Sequence, residues 1–359
     1  MTGTAAAERA EMRAMARELA CRELTPRAAA LDAGDEAALS DCWRLIAEIG
    51  LDRGLLSEEH GGSGMDVLDL LATIEELAVG DGGIAMCVLL CNAALTTLAG
   101  EQLADLREGA RWALVPAAPG TEVTISDGRI DGRVSCALGA HGADGLVILV
   151  QRPQSVVWAI AAGTPGLKLE RDMAQMGLRA ARAASIEMVG VKSTAATVDF
   201  NGSVTTASVV SAPALLRAGT AAIAHGIARR AYEMAFEYAH DRVQGGVPIV
   251  EHDAVGDMLA TMAVRLGCSP QIATGTPQTA IDEAQALVAK IAATDAAAAS
   301  TTDAVQVFGG TGYMVETGIE KLMRDAKYCQ LFPEPNWVAQ DELLRLERAS
   351  RGAARTRLT

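Results

Sequence analysis

The chain is 359 residues long and half of them are apolar, enough for a sizeable core, so disorder is excluded as its main state. It carries 31 Lys and Arg against 45 Asp and Glu, a net charge of −14, and only 3% aromatic residues. It therefore lacks both the basic footprint and the stacking platforms of a nucleic-acid binder. Its seven cysteines stand singly, with no Cys-x-x-Cys pair, which argues against a disulfide framework or structural zinc and fits a reducing, cytoplasmic setting.

In chain order, MTGTAAAERAEMRAMARELA reads as a charged helix rather than a signal peptide. Leu39, Cys42, Trp43, Ile46 and Ile49 recur at helical spacing, and Gly50 is placed to end that helix. A loop, LSEEHGGSGMD, covers 56–66, and Val67, Leu70, Leu71, Ile74, Leu77 and Ala78 form the next amphipathic face. The longest apolar run, Ile84 to Ala99, contains Asn92 and two threonines. It is shorter than the ~20 residues of a membrane span and predicts a buried helix.

The pattern changes near Arg111. Residues 112–200 hold the short runs WALV, EVTIS, GLVILV, SVVWAI, SIEMV and TVDF, with turn signals at Asp127-Gly128 and Asp131-Gly132. Helices return from about Val204. One starts near Pro213 and runs to about Arg242; a second carries Val255, Met258, Leu259, Met262 and Leu266; a third covers roughly 277–308. A fourth holds Ile319, Leu322, Met323 and Ala326, and its Glu320–Arg324 and Lys321–Asp325 pairs are expected on its outer side. The fold class is α+β, mostly α: an N-terminal helical domain over 1–110, a β-domain over 111–203 and a C-terminal helical bundle over 204–359.

Few motifs carry chemistry. HGGSGM lacks the spacing of a nucleophile elbow, GGTG at 309–312 follows a helix rather than a strand, and the five histidines are scattered. His225 reads as a packed helix residue and Cys87 and Cys91 as small core residues, so no metal site is expected. One stretch is specific: residues 303–330, DAVQVFGGTGYMVETGIEKLMRDAKYCQ. It resembles the acyl-CoA dehydrogenase family, in which a helix ends in Gln-x-Phe-Gly-Gly-x-Gly-Tyr/Phe and a second helix carries Arg-Asp-Ala-Lys. EEHGGSGMD with IEELA (74–78), MGLRAARAASIEMVGV (176–191) and DRVQGGVPIVEHDAV (241–255) extend the likeness over most of the chain.

That resemblance implies FAD and the α,β-dehydrogenation of an acyl-CoA, or carrier-bound acyl, thioester. A glutamate takes the α-proton, the flavin takes the β-hydrogen as hydride, and the site steadies the enolate in a dry pocket. It also implies dimers or tetramers, because the family contacts FAD across a subunit boundary. The positions matching those contacts are Arg242, Gln306, Gly309 and Gly310. An Arg fork suits phosphate, and glycines let backbone approach a cofactor. The Phe that follows the family's Arg is Gly245 here. The stretches matching the family's flavin cradle are LVPAAPGTEV (114–123) and VSCALG (134–139), without the family's Trp. Counted without gaps from Lys327, the base position falls on Pro333; one inserted residue moves it to Glu334 and aligns Gln340, and this second alignment is preferred. The family's alternative base precedes an Arg matching Arg217, where this chain has Leu216. Three readings stay open: a working flavoenzyme with Glu334 as base, a partner subunit completing the FAD site of a second dehydrogenase-like chain, and a non-redox acyl-binding relative.

Overall fold

The structure is a computed structural model, and it describes residues 2–98, 107–117, 122–150, 156–171, 175–192, 211–268 and 281–356. The N-terminal unit contains α1 (Thr2–Leu19), α2 (Ala28–Ala33), α3 (Glu36–Glu48), α4 (Val67–Gly80) and α5 (Gly82–Leu95). Aspartates start three of these helices. Asp35, Asp66 and Asp81 each accept a backbone N–H of the first turn, satisfying donors that the helix itself leaves free. As the apolar run predicts, every residue of α5 is buried. Its one amide, Asn92, donates to Leu51 O (2.8 Å) and Val88 O (3.0 Å) and accepts from Leu55 N (3.0 Å), so the buried amide is itself satisfied.

The β-region is two facing sheets. One has the order β1 (Trp112–Ala117), β4 (Gly145–Val150), β5 (Val156–Ala161), with β1 and β4 parallel. The other is antiparallel, ordered β2 (Val123–Ser126), β3 (Arg129–Ala137), β7 (Ala184–Lys192), β6 (Leu167–Arg171). Val115, Ile130, Ile148, Ile160, Ile186 and Met188 fill the core between them. Asp127 and Gly128 both have positive φ and turn the β2–β3 hairpin, as their sequence suggests. Asp131-Gly132 is no turn: it lies within β3, where the register shifts between Ile130 and Gly132 and a Cβ on Gly132 would stand 2.1 Å from Glu122 O. The strand expected at 197–200 and the 203/204 boundary fall outside the described residues.

The C-terminal unit is built on α6 (Ala212–Asp241), α7 (Asp253–Cys268), α8 (Glu283–Phe308), α9 (Ile319–Cys329) and α10 (Asn336–Thr356). Two short strands, β8 (Val243–Gln244) and β9 (Val247–Pro248), pair as a ribbon after α6. Gly219 and Gly226, seven apart on α6, let that helix lie against α5 and α4; a Cβ at these positions would meet Leu89 Cδ1 and Glu75 O at 2.3 Å.

Helix α9 locks the three regions together. Lys321 and Asp325 do not face outward as their i, i+4 spacing suggests: Lys321 is 6% exposed and Asp325 0%. The Lys321 ammonium lies 2.6 Å from Asp325 and 2.9 Å from Asp81 at the start of α5. Asp325 also accepts the Leu178 N–H at 2.6 Å, at the edge of the β-region. Arg324 binds Asp32 (2.8 Å), Glu320 (2.6 Å) and Met176 O (2.8 Å). The approach is so close that a Cβ on Gly177 would stand 2.2 Å from Arg324 O. Burial alone would pull the Lys321 ammonium down, but Asp325 and Asp81 hold it above lysine's usual range; burial pushes Asp325 up against that attraction.

Candidate active site

The motif residues at the end of α8 face a groove of about 580 Å³ bounded by Tyr238, Arg242, Phe308, Gly309, Gly310 and Met314, among others. Arg242 closes α6 and is exposed. No hydrogen bond or ion pair engages its guanidinium among the described residues. Gly309 ends α8 at φ +58, ψ −138, a conformation reserved for glycine. A Cβ on Gly309 or Gly310 would meet nothing within 4 Å, so their backbone is bare to the groove, whereas Gly312 is packed against Val305 O. An unengaged guanidinium beside bare backbone suits the diphosphate of a dinucleotide, so these residues fit the cofactor that the resemblance implies. Gln306 is not in this groove. It lines a separate cavity of about 690 Å³ with Asp32, Arg179, Tyr313 and Arg324; the chain leaves the helical path at Gly309, so the glycines do not continue the face that carries Gln306. Between the two cavities stand the exposed Tyr313, Met314 and Val315.

A second cleft, of about 690 Å³, separates the β-region from the segment after α9. Val115 and Pro116 of β1 and the β3 stretch Arg133–Leu138 form one wall; Tyr328, Leu331, Phe332 and Pro333 form the other. Cys136 Sγ and Tyr328 Oη approach to 3.6 Å across it. Both stretches matched to the flavin cradle thus reach this cleft, although residues 118–121 lie outside the described ones. No residue of α5 is in its wall.

Pro333 faces the cleft, while Glu334, the next residue, turns to α6. The Glu334 carboxylate accepts from Arg217 Nε at 2.8 Å, and Arg217 also binds Glu283 at the head of α8. Arg217 is 7% exposed and its two carboxylates close its charge. The loop between α9 and α10 is further held by Lys290 of α8, whose ammonium donates to Gln330 O (3.2 Å), Glu334 O (2.6 Å) and Asn336 Oδ1 (2.5 Å). Burial pulls that ammonium down to about 8, against Glu334, Cys329 and Asp295. Sequence reasoning missed Lys290. The available signal is its place on the stripe Ala286, Lys290, Ala293, Thr294, Ala297, all buried at helical spacing. His225 is packed, its Nδ1 3.4 Å from Glu75, and Cys87 and Cys91 are buried in α5.

Comparison with known proteins agrees with this architecture. Residues 6–102 match the N-terminal domain of acyl-CoA dehydrogenase and residues 208–332 match the C-terminal domain, together more than half of the chain. A cyclohex-1-ene-1-carbonyl-CoA dehydrogenase from Geobacter metallireducens is 29% identical over 360 residues, covering 91% of this chain and 94% of that one. The structure of butyryl-CoA dehydrogenase from Megasphaera elsdenii superposes with a TM-score of 0.77 at 24% identity, over 92% of this chain and 96% of that one. That of PigA with FAD and proline superposes at 0.82 and 20% identity, over 94% and 97%. These family matches make the chain a flavin oxidoreductase. The chain belongs to the acyl-CoA dehydrogenase family.

Proposed function

We propose that the protein catalyses FAD-dependent α,β-dehydrogenation of an acyl thioester, carried by CoA or by a carrier protein, to the 2-enoyl thioester, with Glu334 as the base. The observation that carries this reading is the placement of Glu334 on the loop that walls the cleft, immediately after Pro333. Arg242, Gly309 and Gly310 would hold the diphosphate of FAD, and the exposed Tyr313–Val315 knuckle beside them supports association of subunits over that face. Bound flavin supplies the acceptor for the β-hydrogen and its electron pair. Glu334 takes the α-proton, for which its side chain leaves Arg217 and turns into the cleft. At rest Arg217 Nε donates to the Glu334 carboxylate and holds it on the α6 side of the loop. Apolar Val115, Ala137, Leu138 and Phe332 limit water around the reacting carbons.

A second reading has its own observation: Pro333, not Glu334, faces the cleft. In that reading the chain lends Arg242 and its glycines to the FAD site of another, base-bearing subunit. The absorbance spectrum of the purified protein, quantified per subunit, separates the two. Stoichiometric oxidised flavin that bleaches with an acyl-CoA, and bleaches 10²–10⁴-fold more slowly in Glu334→Gln, supports the first. Colourless protein that acquires flavin only when co-expressed with a second dehydrogenase-like chain supports the second. Unaltered bleaching in Glu334→Gln would falsify the assignment of the base. In either case Arg242→Ala weakens flavin retention by about 10–100-fold, the worth of one charged hydrogen-bonding group.

A further inference from the structure

The geometry points to Lys290 as the positioning residue of the active-site loop: one buried ammonium on α8 holds the loop between α9 and α10 at three points and so sets where Glu334 stands. Lys290 is 0% exposed, and all of its acceptors belong to the segment 330–336. One of them is the carbonyl of Glu334 itself, at 2.6 Å. Another, Asn336 Oδ1, belongs to a side chain whose amide donates to Thr294 Oγ1 (2.9 Å) and Asp295 Oδ1 (2.7 Å) of the same helix α8. Asp295 also takes the Gln330 amide at 2.6 Å. Both ends of the loop are therefore tied to one turn of α8, with the ammonium in the middle. Among the described residues no carboxylate oxygen bonds the ammonium: its acceptors are two carbonyls and an amide oxygen, all uncharged.

That chemistry makes the anchor titratable. The charged groups facing Lys290 are Glu334 from the loop, Asp295 from α8, Arg217 from α6 and the Cys329 thiol from α9. Burial outweighs the favourable ones and brings the ammonium to about 8. Loss of its proton leaves two N–H donors for three acceptors but removes the charge that burial penalises. An opened loop returns Lys290 toward its ordinary range and binds more protons, so the closed loop is favoured more as pH rises through that value. The role rests on the reading of Glu334 as base, but the hold on the loop does not.

The test is hydrogen exchange of backbone amides 331–339 in the full chain, corrected for intrinsic base catalysis, beside the rate of flavin reduction at saturating butyryl-CoA. In the wild type, loop exchange should slow about tenfold between pH 7 and 9.5, while amides 300–308 of α8 stay protected at both. Lys290→Met should exchange fast at both pH values and lose the pH step, with slower flavin reduction and an unchanged half-saturating butyryl-CoA concentration. Loop exchange equal to wild type in Lys290→Met overturns the proposal, as does a wild-type loop without a pH step. Should Lys290→Met fail to fold, Asn336→Ala carries the test: it should loosen the loop and leave α8 protected, and an unchanged loop overturns the proposal. A loosened loop in Lys290→Met together with unaltered reduction in Glu334→Gln separates the failure of the base from the failure of the anchor.

Discussion

Two buried lysines near the two ends of α9 are handled in opposite ways. Lys321 meets two carboxylates, Asp325 and Asp81, and its charge is held above the usual lysine range. Lys290 meets two carbonyls and one amide oxygen, and its charge is brought down to about 8. Burial acts on both; the partners decide the outcome. An ammonium neutralised by carboxylates is a permanent fastener, and it stands where three regions of the chain meet. An ammonium satisfied by neutral oxygens keeps its hydrogen bonds but can lose its charge near physiological pH, and it stands behind the loop of the candidate base.

The largest expected effect breaks the first cluster. Asp325→Ala leaves Lys321 with one carboxylate and Leu178 N–H with no acceptor, so urea denaturation should show a loss of about 3–5 kcal/mol. A loss under 1 kcal/mol would contradict the fastener. The second effect has the opposite sign with pH. The native ammonium of Lys290 titrates below the unfolded one, so between about pH 8 and 10.5 the unfolded chain binds more protons and this residue's contribution to stability rises with pH. Buried thiols such as Cys87 and Cys91, pushed up to about 11 and about 12, work the other way, so the informative quantity is wild type minus Lys290→Met. That difference should grow with pH in this window; a flat difference would place the native titration of Lys290 at its ordinary value. The smallest effect sets the scale for an ion pair outside either cluster. Arg44 and Glu48 sit 2.6 Å apart on α3, each more than half exposed, and Arg44→Ala should leave the urea midpoint almost unmoved, with any difference from wild type vanishing in high salt.

Much of the fold was legible. The stripes of α3, α4 and α7, the approximate extents of α6 and α8, the apolar α5 and the hairpin at Asp127-Gly128 follow from spacing and turn chemistry alone. The Lys321–Asp325 pair was misread because an i, i+4 spacing is the same for a solvated face and for a buried cluster; Asp81, over two hundred residues earlier, makes the difference. Asp131-Gly132 was misread because a strand bulge uses the same residues as a turn.

By itself, the sequence determined the helical–β–helical plan and the family, and it singled out Arg242, Gly309 and Gly310, which line one groove and present there their own charge and backbone. Tertiary structure decided the rest. It turned Gln306 away from the glycines that follow it, set Pro333 against the cleft and Glu334 against Arg217, and brought Lys290 to three acceptors some forty residues on. Periodicity specifies which face of a helix is buried, but the charge of a buried group depends on which distant oxygen reaches it, and only packing fixes that.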